Sequence, residues 1–214
     1  MREPNQETTD VTPRRSFFGR IAAMSVLGLS GFATAAARAE TGDGPEWPGT
    51  LKGRHKQVFD VYAINEGFPL GFANNFLTPN ESATAVLVFR HNGLPFALSS
   101  AMWEKYKIGE SFKINDPETK APAVKNPWYE PKPGVLQNAD AALDRLIARG
   151  TVIGACAVAM RGQSRRLAAN AGMTPEEALK EWTANVLPGV VVIPSGTWGV
   201  NRAQEAGCTY CAGG

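Results

Sequence analysis

Histidine and cysteine are scarce in this 214-residue chain, which has only two of the first and three of the second. With no His-x-x-x-His pair and no cluster of acids, a conventional zinc site is not expected, and no metal or cofactor is implied. The sequence lacks Gly-x-Ser-x-Gly and any Gly-rich phosphate loop, which excludes nucleophile-elbow hydrolases and P-loop nucleotide sites. It has little net charge, formally +2. It has no internal repeat and no low-complexity tract. The stretch Ile21 to Ala37 is uncharged and rich in Ala, Gly, Leu and Met. No other apolar run approaches the roughly 20 residues of a membrane span.

The N-terminus carries the most specific signal. Arg14-Arg15 lie in Pro13-Arg14-Arg15-Ser16-Phe17-Phe18-Gly19-Arg20, followed by the mildly apolar stretch and then Ala37-Arg38-Ala39. A basic region, an apolar region and a small-x-small end are the three parts of an export signal. Paired arginines before Phe mark the twin-arginine variant, which carries folded proteins across a bacterial inner membrane. Gly28, Gly31, Ser25, Ser30 and Thr34 dilute the apolar run, so cleavage after Ala39 is expected rather than a membrane anchor. Residues 1–39 are thus read as a signal peptide, the partner is the twin-arginine translocation machinery, and the location is periplasmic. The signal holds five arginines against Glu3, Glu7 and Asp10. Removing it turns 22 bases and 20 acids into 17 and 17. A neutral mature protein has no general attraction for nucleic acid or anionic lipid, and no stable membrane span remains.

Residues 40–50 are rich in Gly and Pro and read as a linker. Residues 51–214 then read as one domain. Strands are expected at 57–64, 84–89, 151–159 and 190–193, from short β-branched or apolar runs closed by turn residues. Helices are expected at 68–77, 99–106, 138–149, 163–170, 175–187 and 197–206. A fifth strand is placed at Ser111–Ile114. Five prolines, with Trp128 and Tyr129, make 115–137 a long Pro-rich insertion of the kind used as a lid, binding loop or oligomer contact. Strands alternating with helices predict a three-layer α/β/α sandwich with a mostly parallel, doubly wound sheet of about five strands.

Ligands of open α/β sheets bind at the carboxyl ends of the strands. That edge receives Asn65 and Glu66, then Arg90, His91 and Asn92, then Cys156, then Ser195 and Trp198. Cys156 sits between Ala155 and Ala157 and reads either as a packed core thiol or as a reactive one. The reactive reading needs the strand end and a nearby cation or helix N-terminus. His91 beside Arg90 reads either as a surface turn or as a base kept neutral by its neighbour. Cys208-Thr209-Tyr210-Cys211 has redox-motif spacing but lacks the His that haem attachment requires, and it follows a helix rather than opening one. Cys208 and Cys211 are therefore a structural disulfide candidate.

Four segments carry a family resemblance. They are His55-Lys56-Gln57-Val58-Phe59-Asp60, Val86-Leu87-Val88-Phe89-Arg90-His91, Gly154-Ala155-Cys156-Ala157-Val158-Ala159 and Asn201-Arg202-Ala203-Gln204-Glu205-Ala206-Gly207-Cys208-Thr209-Tyr210. Over residues 51–210 the chain resembles the twin-arginine-exported branch of the DsrE/DsrF-like proteins. The resemblance implies a small doubly wound α/β fold, a homo-oligomer, and a persulfide relay on one strand-end cysteine, a role that falls on Cys156. The chain departs from the sulfur-relay members in being exported and in carrying the 115–137 insertion. Three functions compete. One is sulfur handling or thiol redox with a small sulfur donor or acceptor, with Cys156, Arg90 and His91 as the catalytic set. Another is a non-catalytic binding module for a small molecule at Asn65, Glu66, Ser195 and Trp198. The third is a scaffold that docks a partner through the insertion.

Overall fold

The computed structural model describes residues 45–80 and 82–214; Arg14, Arg15, Ala39 and the cleavage site they define lie outside the described residues. Five strands form one all-parallel sheet in the order β4-β3-β2-β1-β5. They are β1 (His55–Val61), β2 (Ala83–Phe89), β3 (Val152–Cys156), β4 (Val190–Ile193) and β5 (Thr209–Ala212). The helices are α1 (Phe68–Leu77), α2 (Ser100–Lys105), α3 (Ile108–Phe112), α4 (Leu143–Ala148), α5 (Ala157–Leu167), α6 (Pro175–Ala184) and α7 (Gly196–Glu205). Among the described residues no helix is long and apolar enough to cross a membrane.

The chain steps in one direction from β1 to β4. The connecting segments cover one face with the larger core, which includes Phe59, Leu87, Phe96, Trp103, Leu143 and Trp182. From β4 the chain returns as α7 across β3, β2 and β1 on the opposite face and enters β5 beside β1. The smaller core there joins Val58, Val86, Val88 and Ile193 to Ala203, Cys208, Leu51 and Trp47. The result is the three-layer α/β/α sandwich that the alternation of strands and helices predicts.

Local chemistry accounts for several boundaries. The Thr174 hydroxyl accepts the Glu177 N–H at 3.3 Å, and the Glu177 carboxylate accepts the Thr174 N–H at 2.9 Å. This capping box, with Pro175 at the first helical position, starts α6. Elsewhere the structure corrects the reading. Ser111–Ile114 is not a strand: α3 occupies it and Lys113 turns into the left-handed region at φ 56°. The fifth strand is β5, in the tail. The 138–149 segment is a 3-10 turn at 139–141 and then α4, broken at extended Ala142, because Leu143 donates its N–H to the Trp128 carbonyl at 2.8 Å. Of the expected linker, Trp47 is only 5% exposed and belongs to the second core.

The Pro-rich insertion is fastened at buried Asn126. Its amide donates to the Phe96 and Leu98 carbonyls at 3.1 and 3.0 Å, and its Oδ1 accepts the Trp128 N–H at 3.1 Å. Trp128 then packs edge-on against Phe96, with ring centroids 4.7 Å apart. Asn126→Ala leaves three backbone groups without their partner. It is expected to destabilise the protein by about 3 kcal/mol, since each buried orphan costs about 1–3 kcal/mol and local relaxation recovers part. Asn126→Asp cannot donate to the carbonyls and is expected to fail as well. Urea denaturation checks this, and a loss under about 1 kcal/mol for Asn126→Ala would mean that the insertion is held elsewhere.

Candidate functional site

Neighbouring strands in this sheet send the chain to opposite faces at one place. From β3 the chain continues into α5, whose Met160 and Leu167 pack in the larger core. From β4 it continues into α7 on the other face. The carboxyl ends of β3 and β4 therefore flank the crevice where such sheets bind ligands. Cys156 is the last residue of β3 and stands at that crevice.

Cys156 also caps α5. Its Sγ accepts the Ala159 N–H at 3.3 Å. A strand running straight into a helix places the sulfur at the positive end of the helix dipole. Alternation along β3 puts Cys156 on the same face as Gly154, toward α7. There α7 begins with Ser195 as cap, its hydroxyl accepting the Trp198 N–H at 3.1 Å.

Arg90 follows β2 and reaches over the same face. Its Nε and Nη2 donate to the two carboxylate oxygens of Asp60 at 2.5 and 2.8 Å. The Asp60 side chain is 7% exposed and the Arg90 side chain 30%. The Tyr210 hydroxyl donates to Asp60 Oδ2 at 3.2 Å, and the Tyr62 ring lies 5.4 Å from the Arg90 guanidinium carbon. Hydrogen bonding to Asp60 holds the guanidinium above its ordinary pKa, against the opposing effect of burial. Gly196 at the start of α7 is required here, because a Cβ would overlap the Arg90 stem.

The expected residues thus divide. Cys156, Arg90, Ser195 and Trp198 lie on the α7 side. Trp198 packs on Trp47 with centroids 6.3 Å apart and under the Arg202 guanidinium, so it is part of the second core's rim. Asn65 and Glu66 turn to the other side and line a separate cleft. The single pocket expected from Asn65, Glu66, Ser195 and Trp198 is therefore two places. His91 is exposed in a left-handed turn at φ 49°. Among the described residues it makes no hydrogen bond to Cys156 or Arg90. Asp60 and the two tyrosines were not expected.

The disulfide candidate is also corrected. Cys208 and Cys211 are free thiols. They are three residues apart at β5, so Cys208 enters the smaller core while Cys211 packs against the larger one. Burial pushes the Cys208 thiol up to about 11 and raises Cys211 as well. Among the described residues no group of three or more His, Cys, Asp or Glu side chains is placed to hold a metal ion.

No protein-family model matches the chain. No curated protein matches it either. Among solved structures it is similar to MTH1491, a protein of unknown function from Methanobacterium thermoautotrophicum. The identity is 15%, covering 74% of this chain and 99% of that one, with a TM-score of 0.44.

Proposed function

We propose that this is an exported DsrE-like protein that handles sulfur through Cys156. The observation that carries the reading is the placement of Cys156 at the β3–β4 crevice, with its Sγ on the N-terminus of α5 and Arg90 on the same face of the sheet. The thiolate is the nucleophilic form of a cysteine. The Cys156 thiolate attacks the outer sulfur of a small persulfide or polysulfide. The S–S bond of that donor breaks, and its electron pair leaves with the donor thiolate, which takes a proton from solvent. Cys156 keeps the transferred sulfur as a persulfide, and no outside oxidant is needed. Arg90, held by Asp60, faces the anionic donor and the anionic product. Cys156 is 5% exposed, which suits a small donor rather than a protein docked directly on the sulfur.

The experiment is intact mass spectrometry of the mature periplasmic protein after incubation with inorganic polysulfide, with and without reductant. One added sulfur mapped to Cys156, lost on reduction and absent in Cys156→Ser, is the expected result. Cys208 and Cys211 are expected to stay unmodified in the native state, because burial disfavours both thiolates. A Cys156 that takes up sulfur or alkylating reagent only after unfolding would remove the catalytic reading.

A further inference from the structure

A second opening lies away from Cys156. A cleft of about 940 Å³ lies between the β1–α1 turn and the Pro-rich insertion, and a recess of about 390 Å³ adjoins it through Ile64, Asn65, Phe112 and Lys113. Such volumes are those of small-molecule sites. The two parts differ in character. The recess is lined by two cations, Lys113 and Arg166, with Asn65, Asn92 and Ser111, and by no carboxylate. Among the described residues neither cation has a carboxylate partner. Arg166 is nonetheless held in place. Its Nε donates to Gln163 Oε1 at 2.9 Å, Gln163 in turn donates to Asn92 at 3.2 Å, and the guanidinium lies over the Phe112 ring at 4.7 Å. A guanidinium fixed by neutral groups, with its fork unpaired, is arranged to receive an anion.

The larger cleft offers apolar surface instead: Phe68, which is 55% exposed, with Leu136 and Trp128. Its acids are Glu66 and Asp116. Asp116 is taken up by the Glu118 and Thr119 N–H groups at 2.9 and 2.8 Å, which holds its carboxyl below the usual range. Glu66 stands outside the recess, and Lys120 at the wide end is taken up by the Pro117 carbonyl, which its Nζ reaches at 2.7 Å. Asn65, Glu66 and Lys113 all have positive φ, at 42°, 53° and 56°. Non-glycine residues avoid this region, and such strain concentrates at binding sites.

We infer that this cleft binds a small amphipathic anion, with its charged head between Lys113 and Arg166 and its apolar body on Phe68, Leu136 and Trp128. The site shares no lining residue with the Cys156 crevice and does not rest on sulfur chemistry.

The test is displacement of 8-anilinonaphthalene-1-sulfonate from the mature protein by decanoate and by decanol, both below their aggregation limits. Decanoate is expected to displace the dye roughly ten- to a hundredfold better, since a hydrogen bond to a charged group is worth about 1.5–3 kcal/mol. Lys113→Gln/Arg166→Gln is expected to bring decanoate down to the level of decanol, whereas Cys156→Ser leaves both unchanged. A second readout uses the unmodified protein: decanoate, but not decanol, should slow acetylation of Lys113 by acetic anhydride several-fold while exposed Lys107 reacts as before. Equal displacement by acid and alcohol, a preference that survives the double substitution, or equal protection of Lys107 and Lys113 overturns the assignment.

Discussion

Arg90→Ala is expected to destabilise the protein by about 3–5 kcal/mol, the cost of leaving a buried charge without its partner. The reason lies in Asp60. Its side chain is 7% exposed near the carboxyl end of β1, and Arg90 supplies two of its three hydrogen bonds among the described residues. Arg90→Ala leaves the carboxylate with only the Tyr210 hydroxyl. Arg90→Lys is expected to recover a minor part, because an ammonium cannot reproduce the two-point contact. Asp60→Asn in the Arg90→Ala background removes the stranded charge and should restore most of the loss. Urea denaturation of the wild type, the two single variants and the double variant measures the coupling, expected at about 2 kcal/mol or more for residues in direct contact. Additive effects would mean that the pair does not hold the sheet edge together. The same proteins separate stability from chemistry. Asp60→Asn keeps a cation on the Cys156 face of the sheet and the double variant does not. If Arg90 acts on the sulfur, the folded double variant takes up polysulfide sulfur more slowly than Asp60→Asn.

Much of this edge is legible in the sequence, but its two sides are not. The strand-end rule brings Asn65, Glu66, Arg90, Cys156, Ser195 and Trp198 to one rim. Which side chains meet depends on alternation along each strand: Asp60, Arg90 and Cys156 fall on the α7 side, while the chain after Tyr62 turns away toward α1. Asp60 carried a signal that composition does not show. A lone carboxylate inside Val58-Phe59-Asp60-Val61 must be buried, and a buried carboxylate needs a cation; Arg90 ends a neighbouring apolar strand. The bounds of α1 and β4 agree with the reading, because α1 opens on Gly67 and Pro69 and closes before Thr78-Pro79, and β4 is a β-branched run ended by Pro194. The start of α5 was hidden because its cap is a cysteine rather than the usual Ser, Thr, Asp or Asn. Helix therefore begins at 157, inside what reads as strand. β5 was hidden because Cys208 and Cys211 suggested a disulfide, whereas extended chain sends residues three apart to opposite faces.

The linker reading failed at Trp47, and the second large expected effect follows from that failure. Trp47→Ala is expected to destabilise the protein by about 3–5 kcal/mol, the range for removing a buried large aromatic. Trp47 sits between β3 and α7 in space that two glycines leave open. A Cβ at Gly154 would come within 2.8 Å of the Trp47 ring and of Ile193 Cδ1, and one at Gly199 within 3.2 Å of the ring. The smaller core has few other large side chains, so the segment before β1 completes the third layer. Gly154→Ala in the wild type overpacks this space and is expected to cost about 1–3 kcal/mol. In the Trp47→Ala background the ring is gone and the Ile193 Cδ1 methyl can turn into the space it leaves, so Gly154→Ala should be nearly neutral, which gives a coupling that a double-mutant cycle reads directly. The Trp47 indole N–H is buried without a hydrogen-bond partner among the described residues. Trp47→Phe keeps an aromatic ring while removing that orphaned donor, so it should cost under about 1.5 kcal/mol. Independent effects at 47 and 154, or a Trp47→Ala protein as stable as the wild type, would return residues 45–50 to the role of a linker. The expected coupling instead makes residues 45–50 part of the folded domain, on the same side of the sheet as Cys156.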